Sequence, residues 1–136
     1  MMKLALNELT PLCERITNEL PSGGVVILQG DLASGKTTLT QAFSRYLGME
    51  EAVTSPTFSL QQRYGDKLYH YDLYNYGFDK FLSLGMMEEL EREGYHLIEW
   101  GDESLIGWLK RAGIETVTLK ITKCDEQSRC YEVQHA

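Results

Sequence analysis

Val25-Val26-Ile27-Leu28-Gln29-Gly30-Asp31-Leu32-Ala33-Ser34-Gly35-Lys36-Thr37 is the stretch on which the fold of this chain turns. Its first four residues are an unbroken apolar run rich in β-branched side chains, which suits a strand buried on both faces inside a parallel sheet. Gly30 to Thr37 then fits G-x-x-x-x-G-K-[ST] in full. A helical pattern follows from about Gly35 to Leu47, with Leu39, Ala42, Phe43, Tyr46 and Leu47 as its apolar stripe and Gly48 as its stop. Strand, tight turn and helix in that order are the context this pattern requires, and a glycine-bearing turn that matches by chance lacks it.

The residue types have a physical reason. Phosphate oxygens are wrapped by backbone N–H groups, so the loop must turn tightly and approach closely, which glycine permits. The helix that follows aims its free N–H groups and positive dipole end at the anion. Lys36 supplies a charge for the β- and γ-phosphates, and the Thr37 hydroxyl suits magnesium, a hard cation that prefers oxygen. The segment Gly30, Asp31, Leu32, Ala33, Ser34, Gly35, Lys36, Thr37 and Thr38 therefore reads as the cradle of a nucleoside triphosphate.

Outward from the loop, residues 8–20 carry Leu9, Leu12, Cys13, Ile16 and Leu20 at helical spacing, closed by Pro21-Ser22-Gly23-Gly24. Thr57–Tyr64 and Lys67–Leu73 predict a hairpin around Gly65-Asp66. Asp79 to Glu93 predicts one helix ended by Gly94, and Tyr95 to Trp100 another buried strand. Asp102 caps a short helix to Arg111, and Ile114–Thr122 with Cys130–Gln134 close the sheet. The alternation predicts an α/β fold, a three-layer sandwich with a mixed, partly parallel sheet like that of P-loop NTPases.

The 136 residues suit one domain, 1–136. No apolar run approaches the roughly 20 residues of a membrane span, and the N-terminus meets Glu8 before a secretory core develops. The formal charge of −7 argues against tight unaided binding to DNA or RNA, because that affinity comes from clustered Lys and Arg. Cys13, Cys124 and Cys130 match no zinc spacing and read as reduced structural thiols of a cytoplasmic protein. His70, His96 and His135 are dispersed, which disfavours a metal site built from them.

Phosphoryl transfer needs a metal, a cationic clamp and a group that orients the nucleophile. A carboxylate at the end of a buried strand commonly supports the metal. Glu99 is the better placed, since Leu97-Ile98 lead straight into it; Asp72, in His70-Tyr71-Asp72-Leu73-Tyr74, is the other. Each also fits an acidic strand residue facing water. Ser55-Pro56-Thr57-Phe58 lies where P-loop proteins keep a switch segment at the γ-phosphate, and equally reads as a Pro-bearing loop entering a strand.

These motifs in this order resemble the bacterial TsaE (YjeE) family, the ATPase of tRNA threonylcarbamoyladenosine biosynthesis. The resemblance rests on Thr10 in an N-terminal helix, GDLASGKTT at 30–38, SPTF at 55–58, HYDLY at 70–74 and IEW at 98–100, and so spans nearly the whole chain. It implies ATP and Mg2+ as cofactors, Lys36 on phosphate, Thr37 and Glu99 on magnesium, and Asp72 in catalysis, orienting the attacking water. It further implies Ser55 and Thr57 in a switch-like loop, with Thr10, Trp100 and Arg129 near the nucleotide. It implies the TsaD–TsaB heterodimer as partner, with adenosine 37 of tRNAs reading ANN codons reached only through that partner. Two departures stand out: Ala33-Ser34 replace the family's usual Gly-Ala, and Asn75 follows HYDLY where Arg is usual. The second bears on partner affinity or rate.

Two other functions share the phosphate loop. A small-molecule kinase usually brings an Arg-rich lid, whereas Arg15, Arg45, Arg63, Arg92, Arg111 and Arg129 are spread along this chain. A non-catalytic nucleotide-gated module would keep the loop and dispense with Asp72 and Glu99.

Overall fold

A strand whose side chains are apolar on both faces must be covered on both, and Val25–Leu28 sit inside a sheet with helices above and below. The computed structural model describes residues 2–5, 7–30, 36–49, 52–57, 61–65, 67–73 and 77–135, and of residues 36–37, 52–57 and 135 the backbone. The elements run β1 (Met2–Ala5), α1 (Thr10–Glu19), β2 (Gly23–Gln29), α2 (Lys36–Tyr46), β3 (Ala52–Thr57), β4 (Gln61–Tyr64), β5 (Leu68–Asp72), α3 (Phe78–Ser83), α4 (Met86–Glu89), β6 (Gly94–Glu99), α5 (Glu103–Arg111), β7 (Thr116–Lys123) and β8 (Ser128–His135). Among the described residues the strands form one sheet in the order β1-β8-β7-β2-β6-β5-β4-β3. The inner strands β5, β6, β2 and β7 are parallel, and the outer pairings are antiparallel. This is the mixed α/β sandwich that the alternation of elements predicts.

Period-two alternation sorts the core into two layers. Val26, Leu28, Leu97, Val117 and Leu119 pack with Leu12, Ile16, Leu39 and Phe43 of α1 and α2. Val25, Ile27, Tyr71 and Ile98 pack on the opposite face with Phe81, Met86, Leu105 and Leu109 of α3, α4 and α5. Burial of each such Leu, Ile or Phe contributes about 1.5–3 kcal/mol. The α5 start follows its cap: the Asp102 carboxylate accepts from the Leu105 N–H at 3.0 Å. Where the parallel strands begin, Gly94, at φ 125°, lies against Lys67; a Cβ there would overlap the Lys67 carbonyl, so only glycine lets β6 begin in line with β5.

The structure corrects three expectations and adds one strand. The segment predicted as one strand from Thr57 to Tyr64 belongs to two, the edge strand β3 and its partner β4, with register shifts along the pair around Thr54; Pro56 is tolerated because an edge strand can spare an N–H. The single helix predicted over 79–93 is broken into α3 and α4 at Gly85, which takes a left-handed φ of 73°. β1 was not anticipated: four residues carry too little pattern, and it exists by pairing with β8. Cys124 and Cys130 are joined in a disulfide across the β7–β8 turn, at a Cα separation of 5.9 Å, leaving only Cys13 free and buried.

The face carrying α3 to α5 holds a buried polar chain. Gln61 Nε2 donates to the Tyr71 hydroxyl (3.2 Å) and to Glu89 Oε1 (3.0 Å). Tyr71 donates to His96 Nδ1, and His96 Nε2 donates to the Arg92 carbonyl, each at 2.8 Å. Both His96 nitrogens are thus satisfied by a neutral ring, and burial holds its pKa below the ordinary 6.5. The sign follows from linkage: above 6.5 neither folded nor unfolded chain is protonated there, and as pH falls through 6.5 the unfolded chain gains a proton that the native chain refuses. Wild-type stability is therefore expected to fall between about pH 7.5 and about pH 5.5 by more than that of His96→Gln. Urea midpoints of the two proteins at both pH values check this; a gap that stays constant would remove His96 from the account.

Candidate nucleotide-binding site

The C-terminal ends of β2, β5 and β6 lie side by side and form the candidate site, since ligands of an open α/β sheet lie beyond the carboxyl ends of its strands. β2 runs to Gln29 and the partly buried Gly30, and α2 opens at Lys36 on the same edge. Residues 31–35, which complete the predicted loop, lie outside the described residues, as do the side chains of Lys36 and Thr37. Thr38, on the first turn of α2, is half-buried.

Parallel register brings the two predicted carboxylates together. Asp72 is paired with Glu99 across β5 and β6, and Glu99 with Leu28 across β6 and β2. All three face the layer that holds α2, so both acids stand on the side where the helix begins. Their surroundings differ. Glu99 is buried at 7% exposure, and Asp72 is exposed. His70, two residues before Asp72 and so on the same face, places Nε2 against Glu99 Oε2. The Glu99 carbonyl accepts from the Leu73 N–H at 3.1 Å, which ties the two strand ends. Sequence reasoning assigned His70 no role; its spacing of two from Asp72 was the available signal.

Trp100 leaves the strand with a φ of 66°, the one left-handed non-glycine among the described residues. A β-region strand continued by a bulky residue in that conformation costs on the order of 1–3 kcal/mol, and such strain is concentrated at functional sites. The turn puts the 36%-exposed indole at the strand mouth beside Glu99.

The remaining predicted residues are more spread. Thr10 opens α1 and lines a groove of about 270 Å³ between α1 and α2 with Asn7, Cys13, Ala42, Arg45 and Tyr46. The Cys13 thiol in that groove is pushed up to about 11 by burial, so it stays protonated and unreactive. Arg129 is the second residue of β8, separated from β2 by β7, and its Nη1 donates to the carbonyls of Ser128 (2.9 Å) and Asp125 (3.2 Å). The neighbouring turn is held by Asp125, whose carboxylate accepts from the Gln127 and Ser128 N–H groups and pairs with Lys3 of β1; these contacts hold its pKa down to about 2. Ser55 and Thr57 fall on β3; Thr57 is in a strand as its pattern predicts, while Ser55 lies within the strand and not in a loop leading into it. Thr57 lies at the same sheet edge as the carboxylates, level with Gln61 and Tyr71, but three strands from Glu99, about 14 Å by strand spacing. Phe58, Tyr74 and Asn75 lie outside the described residues.

The profile of the family described as threonylcarbamoyl adenosine biosynthesis protein TsaE matches residues 5–131. The chain belongs to the TsaE family. The TsaE protein of Bacillus subtilis, a tRNA threonylcarbamoyladenosine biosynthesis protein, is 36% identical over 126 residues, covering 79% of this chain and 79% of the relative. That of a Nostoc species is 37% identical over 120 residues, covering 84% of this chain and 72% of the relative. A crystal structure of Bacillus subtilis YdiB matches the fold with a TM-score of 0.57 at 27% identity, over 99% of this chain and 84% of that one. Among the described residues no helix is long and apolar enough to cross a membrane.

Among the described residues no three His, Cys, Asp or Glu side chains gather as a metal-binding group. Magnesium does not need such a cage, since it is commonly held by one or two carboxylates together with substrate phosphates and water. A buried carboxylate at a strand end, level with the strand that enters the phosphate loop, fits that kind of site.

Proposed function

We propose that this chain is a magnesium-dependent ATPase that acts in tRNA threonylcarbamoyladenosine biosynthesis by serving a TsaD–TsaB heterodimer. The observation that supports it best is the side-by-side placement of Asp72 and Glu99 on the α2 face of the sheet, one exposed and one buried. A module that only binds nucleotide needs no second, solvent-exposed carboxylate beside Glu99.

The division of labour follows from the environments. The backbone of Gly30 to Lys36 and the N-terminus of α2 bind the phosphates, and Lys36 neutralises the γ-phosphate. Thr37 and Glu99 hold magnesium, which when bound offsets the charge of the β- and γ-phosphates. Asp72, still in contact with solvent, orients the attacking water and takes its proton. Trp100 and Thr10 border the nucleotide. Ser55 and Thr57 respond to the γ-phosphate, and Arg129 contributes from the start of β8. The negative charge of the chain leaves the grip on tRNA to its partner, so the protein works in the cytoplasm on tRNA without binding it alone.

No arginine finger in cis is visible among the described residues, and such a finger is worth about 10³–10⁵ in rate where it operates. The isolated chain is therefore expected to release phosphate slowly, and faster when the TsaD–TsaB heterodimer is added. Steady-state phosphate release with and without the heterodimer and tRNA tests this. Fast turnover by the chain alone that depends on a small-molecule acceptor would replace the reading with a kinase.

A further inference from the structure

We infer that His70 is the positioning residue of the Glu99 carboxylate. The inference rests on the reading of Glu99 as a magnesium-holding group and adds a residue to which that reading gave no part.

The geometry carries it. His70 and Glu99 lie on adjacent parallel strands, His70 paired with Leu97 and Asp72 with Glu99, so the imidazole reaches one register step diagonally to the carboxylate. Nε2 meets Oε2, and the two side chains are only 13% and 9% exposed. An ionised carboxylate only accepts, so Nε2 carries the hydrogen and donates it. One carboxylate oxygen is thereby fixed against β5. A Glu side chain with one oxygen pinned can turn only so far about its last torsion, so the bond from His70 also limits where the second oxygen can go. A buried Glu without this bond would lose both its hydrogen-bond partner and its orientation.

Groups that hold a ligating side chain in place commonly change metal affinity by about 10–100-fold when removed. His70 also shares its face with Asp72, so the same strand supplies the group that orients Glu99 and the carboxylate that orients water.

The test uses the full chain, the non-hydrolysable analogue AMP-PNP and MgCl2, with calorimetry as the readout. His70→Phe keeps an aromatic ring without a donor, and His70→Gln keeps an N–H at similar reach. The Mg2+ concentration for half-maximal enhancement of AMP-PNP binding is expected to rise about tenfold or more in His70→Phe, with affinity in EDTA kept within about twofold. His70→Gln is expected to restore the wild-type Mg2+ requirement. In a Glu99→Gln background, His70→Phe is expected to add nothing, since the group it orients is gone. An unchanged Mg2+ requirement in His70→Phe, while Glu99→Gln shifts it, overturns the role of His70 and leaves that of Glu99 standing. If Glu99→Gln itself leaves the Mg2+ requirement unchanged, both fail. Equal loss of affinity with and without Mg2+, or no rescue by His70→Gln, makes His70 a packing residue. Should His70→Phe not fold, His70→Ala takes its place in the same cycle.

Discussion

Lys36→Ala is expected to lose ATP binding over the range in which the wild type saturates. Removing one member of a desolvated charge pair costs about 2–5 kcal/mol, or roughly 30-fold to several thousand-fold in Kd. Lys36 is the first residue of α2, and in the proposed mode of binding its ammonium and the helix N-terminus act on the same anion. The backbone N–H groups remain in the variant, and residual weak binding is expected to persist at millimolar nucleotide. Calorimetric titration with ATP and with ADP measures it. The loss should be larger for ATP, because the lysine acts on the β- and γ-phosphates; equal loss for adenosine itself would mean that the variant is misfolded.

Asp72→Asn is expected to leave the Kd for Mg-ATP within a few-fold and to lower single-turnover hydrolysis by about 10²–10⁴. The substitution keeps size and most hydrogen-bonding capacity, and removes the base. Asp72 is exposed while its register partner Glu99 is buried, which is why the two acids are assigned different work. Nucleotide titration beside quenched-flow kinetics separates the effects. A variant that lost affinity and rate by the same factor would make Asp72 a metal-site group.

The two faces of the sheet differ in how far they could be read in advance. Val25–Leu28 and Leu97-Ile98 are recognisable because a strand buried on both sides has no polar alternation, and Glu99 stands out because it terminates such a run. The α1 and α2 stripes are equally plain: Leu12, Ile16, Leu39 and Phe43 are all buried. What escaped depends on register or on partners distant in sequence. The meeting of His70 with Glu99 follows from how β5 pairs with β6, which no local pattern encodes. β1 is four residues long and is held by β8 from the other end of the sequence. The disulfide required the Asp125 turn, which brings Cys124, just past β7, within bonding reach of Cys130, whose register partner is Thr122. The break at Gly85 came from a glycine inside an otherwise helical stretch, where the propensity cost of about 1 kcal/mol is easily outweighed by packing Phe81 and Met86 on the same layer.

The order β1-β8-β7-β2-β6 also has a consequence in time. During synthesis β2 emerges early, yet both strands that flank it, β6 and β7, come from the second half of the chain, and β1 waits for β8. Contacts so distant in sequence are slow to close, and until they do the Val25–Leu28 strand has two bare edges. Until β6 and β7 have been made, the nascent chain therefore presents its most apolar strand, next to the predicted phosphate loop. Its folding yield should depend more on translation rate and chaperone supply than its modest length suggests.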